Sequence, residues 1–298
     1  MGVRIRLIAV VFLLGIGVLS GCATSPPPAA GPVVPSSPAA DGGCQGPEYL
    51  PRAGDTVCYT DDLDEPLAIV KGGQPGAPIV YRGTGSTKVP GIHVEADNVV
   101  VEGFVSEGAQ STGIWTRGNN VTIQDNTITK VYYVGDDVDA MRFFGDGTKL
   151  LRNTVHDLEA NAIGDSHVDC MQTFAIHEPG SQDVVIQGNR CEGIRAQCLM
   201  AEGPNDIDGS GQGISRNWLF QGNYCDAHAA AQSVALEDVQ NVTIADNQMV
   251  GTATKAFALG KGSTGAVVRS NQIGPGYSRE VGFDDPSARQ GYQGPAAR

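Results

Sequence analysis

The chain has 298 residues, 41% of them hydrophobic and only 6% aromatic, with 40 glycines. That length holds one large domain or two small ones, and a Gly-rich, aromatic-poor composition favours many short strands and turns over helical packing. With 20 basic and 33 acidic residues the formal charge is −13, which excludes a nucleic-acid partner, because phosphate binding needs a basic footprint.

The chain opens with Arg4 and Arg6, followed by the apolar run LIAVVFLLGIGVL and then Ser20, Gly21 and Cys22. A short apolar run closed by small residues is the pattern of a secretion signal over residues 1–21, not of a spanning helix. Its ending, Leu19-Ser20-Gly21-Cys22, resembles the cleavage box of bacterial lipoproteins. That resemblance implies an exported protein lipidated at Cys22 and held to the extracytoplasmic face of the membrane. Residues 22–43 have the Pro, Ala and Ser content of an extended tether. Without Arg4 and Arg6 the chain keeps 18 basic residues against 33 acidic ones, a formal charge of −15. A polyanionic substrate is repelled by such a surface unless a bound cation reverses the sign locally.

Beyond the tether one phrase recurs. VVVEGF (99–104), VTIQDN (121–126), KLLRN (149–153), VVIQGN (184–189), WLFQGN (218–223), VTIADN (242–247) and VVRSN (267–271) align on Gly103, Asn126, Asn153, Asn189, Asn223, Asn247 and Asn271. A basal period of about two dozen residues with two enlarged members is the signature of a solenoid. Between these phrases lies a second strand-like set: GIWTR (113–117), DAMRFF (139–144), DCMQTF (169–174), QCLMAE (197–202), QSVALE (232–237) and KAFALG (255–260). Each turn therefore carries at least two β segments with polar corners. Stacked turns make inward columns, here Met141, Met171, Leu199, Val234 and Phe257, and beside it Phe143, Thr173, Ala201, Leu236 and Leu259. The recurring Asn is expected to fill an inward corner and to bond to the next Asn in line.

With these repeats, and with PLAIVKGGQPGAPIVYRG (66–83) as a first coil, the sequence resembles the right-handed parallel β-helix proteins of the pectate-lyase-like superfamily. The resemblance covers roughly residues 60–277 and implies an all-β, single-stranded right-handed solenoid active on polysaccharides. The expected domain is 44–277, with 278–298 as a C-terminal cap or free tail, and the protein is expected to act as a monomer.

Six cysteines remain besides Cys22, and an even number in an exported chain suggests disulfides. Cys44 and Cys58 are placed to staple the N-terminal cap. Cys170 and Cys198 share one slot of the repeat, as do Cys191 and Cys225, so the alignment suggests Cys170–Cys198 and Cys191–Cys225 bridges between adjacent coils. The alternative is a stack of free thiols, because side chains in one column run parallel.

On a solenoid a site is built from outward residues of adjacent coils, walled by loops that interrupt the period. The two long spacings flank DSHVDCMQTF (165–174). The densest group of titratable residues is here: Asp136, Asp137, Asp139, Arg142, His156, Asp165, His167, Asp169, Glu202, Asp206 and Asp208. In register Asp139 stacks on Asp169 and Arg142 on Gln172, and two carboxylates about 5 Å apart do not both ionise cheaply. Either one pKa rises or a cation sits between them; each Asp taken alone fits a turn cap equally well. Strict alternation from Met141 and Met171 sends Asp139 and Asp169 inward and Arg142 and Gln172 outward, unless the corner before the strand breaks the parity; Arg142, Gln172 and His167 are the outward candidates.

Two chemistries fit. In a β-eliminating lyase a base takes the proton α to a uronate carboxylate, with Arg142, His167 or Lys255 as the base and Asp137, Asp139 and Asp169 holding Ca²⁺. In a glycoside hydrolase Asp139 and Asp169 form the carboxylate pair. Glu202, Trp115, Tyr132 and Tyr133 are candidates to line a sugar-binding groove. A non-catalytic glycan-binding or cell-wall-binding surface β-helix is the rival from another class.

Overall fold

A computed structural model describes residues 43–132, 137–158 and 167–296 of the chain. Each phrase of the repeat forms a strand with a buried centre, and in Thr122–Gln124, Val185–Gln187 and Leu219–Gln221 that centre lies between two partly exposed residues. A period of two with one buried face is what a strand lining a core requires. These strands pair in parallel from coil to coil: Thr122 with Lys149, then Val185, Leu219, Thr243 and Val267. The result is a right-handed parallel β-solenoid.

Each turn carries three strand segments. The sheet of the repeated phrase bends at a corner and continues through Thr127–Thr129, Thr154–His156, Arg190–Ile194 and Tyr224–Ala227. A separate nine-stranded parallel sheet, from Leu67–Ile69 to Tyr277–Phe283, forms the remaining face. The two inward columns run along it as expected, Met141 on Met171 and Val234 on Phe257, with Ala201 on Leu236 and Leu236 on Leu259.

The corner is a ladder of asparagines. In Asn126, Asn153, Asn189, Asn223 and Asn247 both the backbone N–H and Nδ2 donate to Oδ1 of the next Asn, at 2.9–3.2 Å. Nδ2 also donates to a strand carbonyl of the preceding coil, such as Ile123 O at 2.9 Å for Asn153. Each rung follows a left-handed residue, from Asp125 and Arg152 (both φ 54) to Ser270 (φ 58), which bends the chain into the corner. Gly103 does not stand in the asparagine column. Val105 pairs with Thr127, which sets Phe104 opposite Asn126, and Phe104 N–H donates to Asn126 Oδ1 at 3.0 Å. Gly103 takes the left-handed slot instead, with φ 72.

The cysteines pair differently from the alignment. Cys44–Cys58 staples the N-terminal end, but the coil bridges are Cys170–Cys191 and Cys198–Cys225. Cys191 and Cys225 are in register on neighbouring strands of one sheet, so their Cβ vectors run side by side. Cys170 and Cys191 lie on different sheets of one turn and face each other across the lumen, a geometry in which two sulfurs can meet.

The solenoid runs past the expected boundary at 277. Tyr277–Phe283 adds the ninth strand to the separate sheet. Asp285 then caps a 3₁₀ turn at Pro286–Arg289, Gln293 pairs with Val267, and Tyr292 packs edge-on against Phe283 at 5.0 Å. These residues cover the last coil.

Candidate active site

The chemistry-bearing residues gather on the outer side of the nine-stranded sheet because the alternation slips there. Ala140 and Met141 are both fully buried, as are Cys170 and Met171 one coil on. Two successive inward residues return Asp139 to the side of Arg142, and Asp169 to that of Gln172. Strict alternation, which sent both Asp residues into the lumen, fails for this reason. Among the described residues the proof is the bond itself: Arg142 Nε donates to Asp139 Oδ2 at 2.8 Å and its Nη2 donates to the same oxygen.

Asp139 is in register with Asp169 and Arg142 with Gln172, so each pair is separated by one inter-strand step of about 4.8 Å. Both carboxylates are fully buried, under an Arg142 side chain only 12% exposed and a His167 side chain 48% exposed. Asp169 Oδ1 accepts the Gln197 backbone N–H at 2.6 Å. Its Oδ2 has no hydrogen-bond partner among the described residues and lies 3.8 Å from His167 Nδ1. Burial pushes the Asp169 carboxyl well above the usual carboxylate range; the Asp139 charge adds to this, and the Gln197 N–H opposes it. Asp137 Oδ1 accepts the His167 backbone N–H at 3.1 Å, which ties the base of the histidine to the neighbouring coil.

Each of the three acids expected to hold calcium has a protein contact through one oxygen: Asp139 with Arg142, Asp137 with the His167 backbone, and Asp169 with Gln197. Among the described residues no group of three or more acidic, His or Cys side chains is disposed around a common point. Tyr133, Asp136 and Asp165 lie outside the described residues, as does Cys22.

Glu202 stacks on Glu237. Burial, followed by the charge of Asp206, raises both carboxyls, Glu237 to about 7. Lys255 pairs in register with Gln232 and binds Asp284, which leaves it three coils beyond Asp169 and outside the reach of one glycosidic bond.

Trp115 stands in register with Arg142, inside a stripe of rings: His93 at 6.0 Å, Phe144 at 6.1 Å, and Phe174 at 5.0 Å from Phe144. The Arg142 guanidinium lies 5.5 Å over Phe174. His93, Phe144, Phe174 and Gln197 were not singled out from sequence. The second Phe of RFF and the Phe closing DCMQTF stand one step past the inward column, and that position alone marks them as outward.

A family model described as the right handed beta helix region matches residues 86–273. No curated protein matches the chain. Among solved structures, the PL6 family alginate lyase AlyGC superposes with a TM-score of 0.59 at 14% identity, over 78% of this chain and 38% of that one. A mutant form of AlyGC does so at 0.58 and 13%, over 82% and 38%. This chain therefore spans well under half the length of that enzyme. An alginate lyase from Paenibacillus sp. str. FPU-7 aligns over 83% of this chain and 93% of its own, with a TM-score of 0.44 and 16% identity. At these identities the likeness is one of fold.

Proposed function

The chain belongs to the right-handed β-helix family, whose chemistry must sit on an outer face because the lumen is filled, and we propose that it is an exported polysaccharide lyase acting by β-elimination on a uronate. The observation that carries this reading is the pairing of Asp169 with His167 and of Asp139 with Arg142 on adjacent coils. A lyase needs a cation against the uronate carboxylate and a base at the α-carbon one bond away. Arg142, fixed by a buried carboxylate, supplies the first. His167 supplies the second: the C5 proton passes to Nε2, the C4–O bond breaks, and the ring returns the proton to the departing oxygen. Asp169 faces Nδ1 and holds the imidazolium as it forms.

Gln172 and Glu202 flank the bond as donor and acceptor for sugar hydroxyls, and Trp115 offers a ring for stacking. The Ca²⁺ expected at Asp137, Asp139 and Asp169 finds no gathered donor set among the described residues, so no step is routed through it. A hydrolase using Asp139 and Asp169 would need both carboxylates against the glycosidic bond, and their complete burial weighs against it. The three disulfides support folding in an oxidising compartment, in line with export and a lipid anchor at Cys22.

The test is incubation with a panel of uronate and neutral glycans, with and without a chelator. The unsaturated uronate product absorbs in the ultraviolet, so absorbance that rises together with reducing ends supports the lyase. Reducing ends alone indicate a hydrolase, and neither signal indicates a binding protein. Loss of signal in the chelator arm would support the calcium reading.

A further inference from the structure

Toward the N-terminal end a cavity of about 550 Å³ opens, lined by Asp64, Glu65, His93, Gln110, Thr112 and Tyr132 among others. It abuts the proposed reaction centre directly. Thr112 is in register with Asp139, and the carbonyl of Ser111, also in the wall, accepts the Asp139 N–H at 2.8 Å. His93 is in register with Trp115, itself in register with Arg142. One strand step of about 4.8 Å is close to the length of one sugar unit, so a glycan lying along the solenoid axis with one unit at Arg142 sets its neighbour in this cavity.

The lining is polar and acidic, with two rings. His93 and Tyr132 present exposed rings, Gln110, Ser111 and Thr112 present amide and hydroxyl groups, and Asp64 and Glu65 present exposed carboxylates. No lysine or arginine lines it among the described residues. Lys88 and Lys130 stand in the adjoining surface cleft, but both ammoniums hold Glu107, at 2.9 and 2.5 Å. Hydrogen bonding to Lys130 and then Lys88 brings the Glu107 carboxyl down to about 2. Carboxylates and amides are strong partners for sugar hydroxyls, whereas two carboxylates without a cation repel a charged uronate.

We propose that this cavity is a binding subsite for an uncharged sugar unit, and that the substrate is therefore a heteropolymer in which the cleaved uronate is followed by a neutral sugar, not a homopolymer of uronates. The substrate assignment rests on the lyase reading; the cavity assignment does not. The experiment titrates the full-length His167→Ala protein, in calcium-free buffer, with neutral tetrasaccharides of glucose, mannose, xylose and galactose and with oligouronates of the same length. At least one neutral tetrasaccharide is expected to bind, and Tyr132→Ala to weaken that binding about tenfold while leaving oligouronate binding, which Arg142 carries, within about twofold. Asp64→Asn with Glu65→Gln, both in an exposed segment, is expected to tighten oligouronate binding about threefold or more. Binding by no neutral tetrasaccharide, or neutral and oligouronate binding weakened equally by Tyr132→Ala, overturns the assignment. Neutral-sugar binding that survives while no polymer is cleaved by the wild type would sink the lyase reading and leave the subsite standing.

Discussion

Nδ1 of His167 stands 3.8 Å from Oδ2 of Asp169, a carboxylate that the fold covers completely while leaving the imidazole 48% exposed. One coil away the same design repeats with Asp139 beneath Arg142. In each unit a buried acid faces an outward nitrogen-bearing side chain, and the register sets the two units a single strand step apart.

If Asp169 acts through His167, the two residues differ in what their loss does. His167→Ala should abolish turnover with little effect on stability, because its side chain is half exposed. Asp169→Asn keeps an acceptor for the Gln197 N–H but removes the negative charge that faces the ring. It should lower kcat by about two orders of magnitude with KM nearly unchanged. Steady-state kinetics on the cleaved glycan check this, and full activity in both variants would move the site elsewhere.

Arg142→Ala leaves a buried carboxylate without its guanidinium and should cost about 3–5 kcal/mol of stability, as for other broken buried pairs. Replacing the pair together, Asp139→Ala with Arg142→Ala, should recover much of that loss and none of the turnover. Urea unfolding of the two single variants and the double variant closes the cycle.

Glu237 makes stability depend on pH. Its carboxyl titrates near 4.5 when free and at about 7 in the fold, chiefly through burial. Between those values the folded state holds the extra proton, so stability falls as pH rises through the window and levels off above it. Glu237→Gln should flatten the slope of Tm between about pH 4.5 and 7, measured by thermal melts across that range. Glu202, raised in the same way, contributes to whatever slope persists.

The asparagine ladder should show its cooperativity by position. Asn153 accepts from Asn126 and donates to Asn189 and Ile123, so Asn153→Ala strands several buried groups and should cost about 3 kcal/mol. Asn271, partly buried at the last rung, should cost about 1 kcal/mol. Chemical unfolding of both variants tests the ratio.

Peptide mapping without reduction should recover Cys170 linked to Cys191 and Cys198 linked to Cys225. Each bridge closes a loop of two dozen residues or so, and removing either pair as Cys→Ala should lower stability by about 3 kcal/mol.

The sequence alone determined the solenoid, its inward columns and the stacking of Asp139 on Asp169. Those features follow from a period that repeats in the text, and once the asparagines line up, every equivalent position becomes a neighbour. Only the tertiary structure decided which way a side chain points where the period slips. The double inward step at Ala140–Met141 and Cys170–Met171 leaves no mark in hydrophobicity, since small and large buried residues read alike. Yet it turns two acids from the lumen to the outer layer. It also aims Cys170 across the turn at Cys191 and away from the parallel thiol in its own column. Alternation is a local rule, and the site depends on the place where packing of the whole turn overrides it.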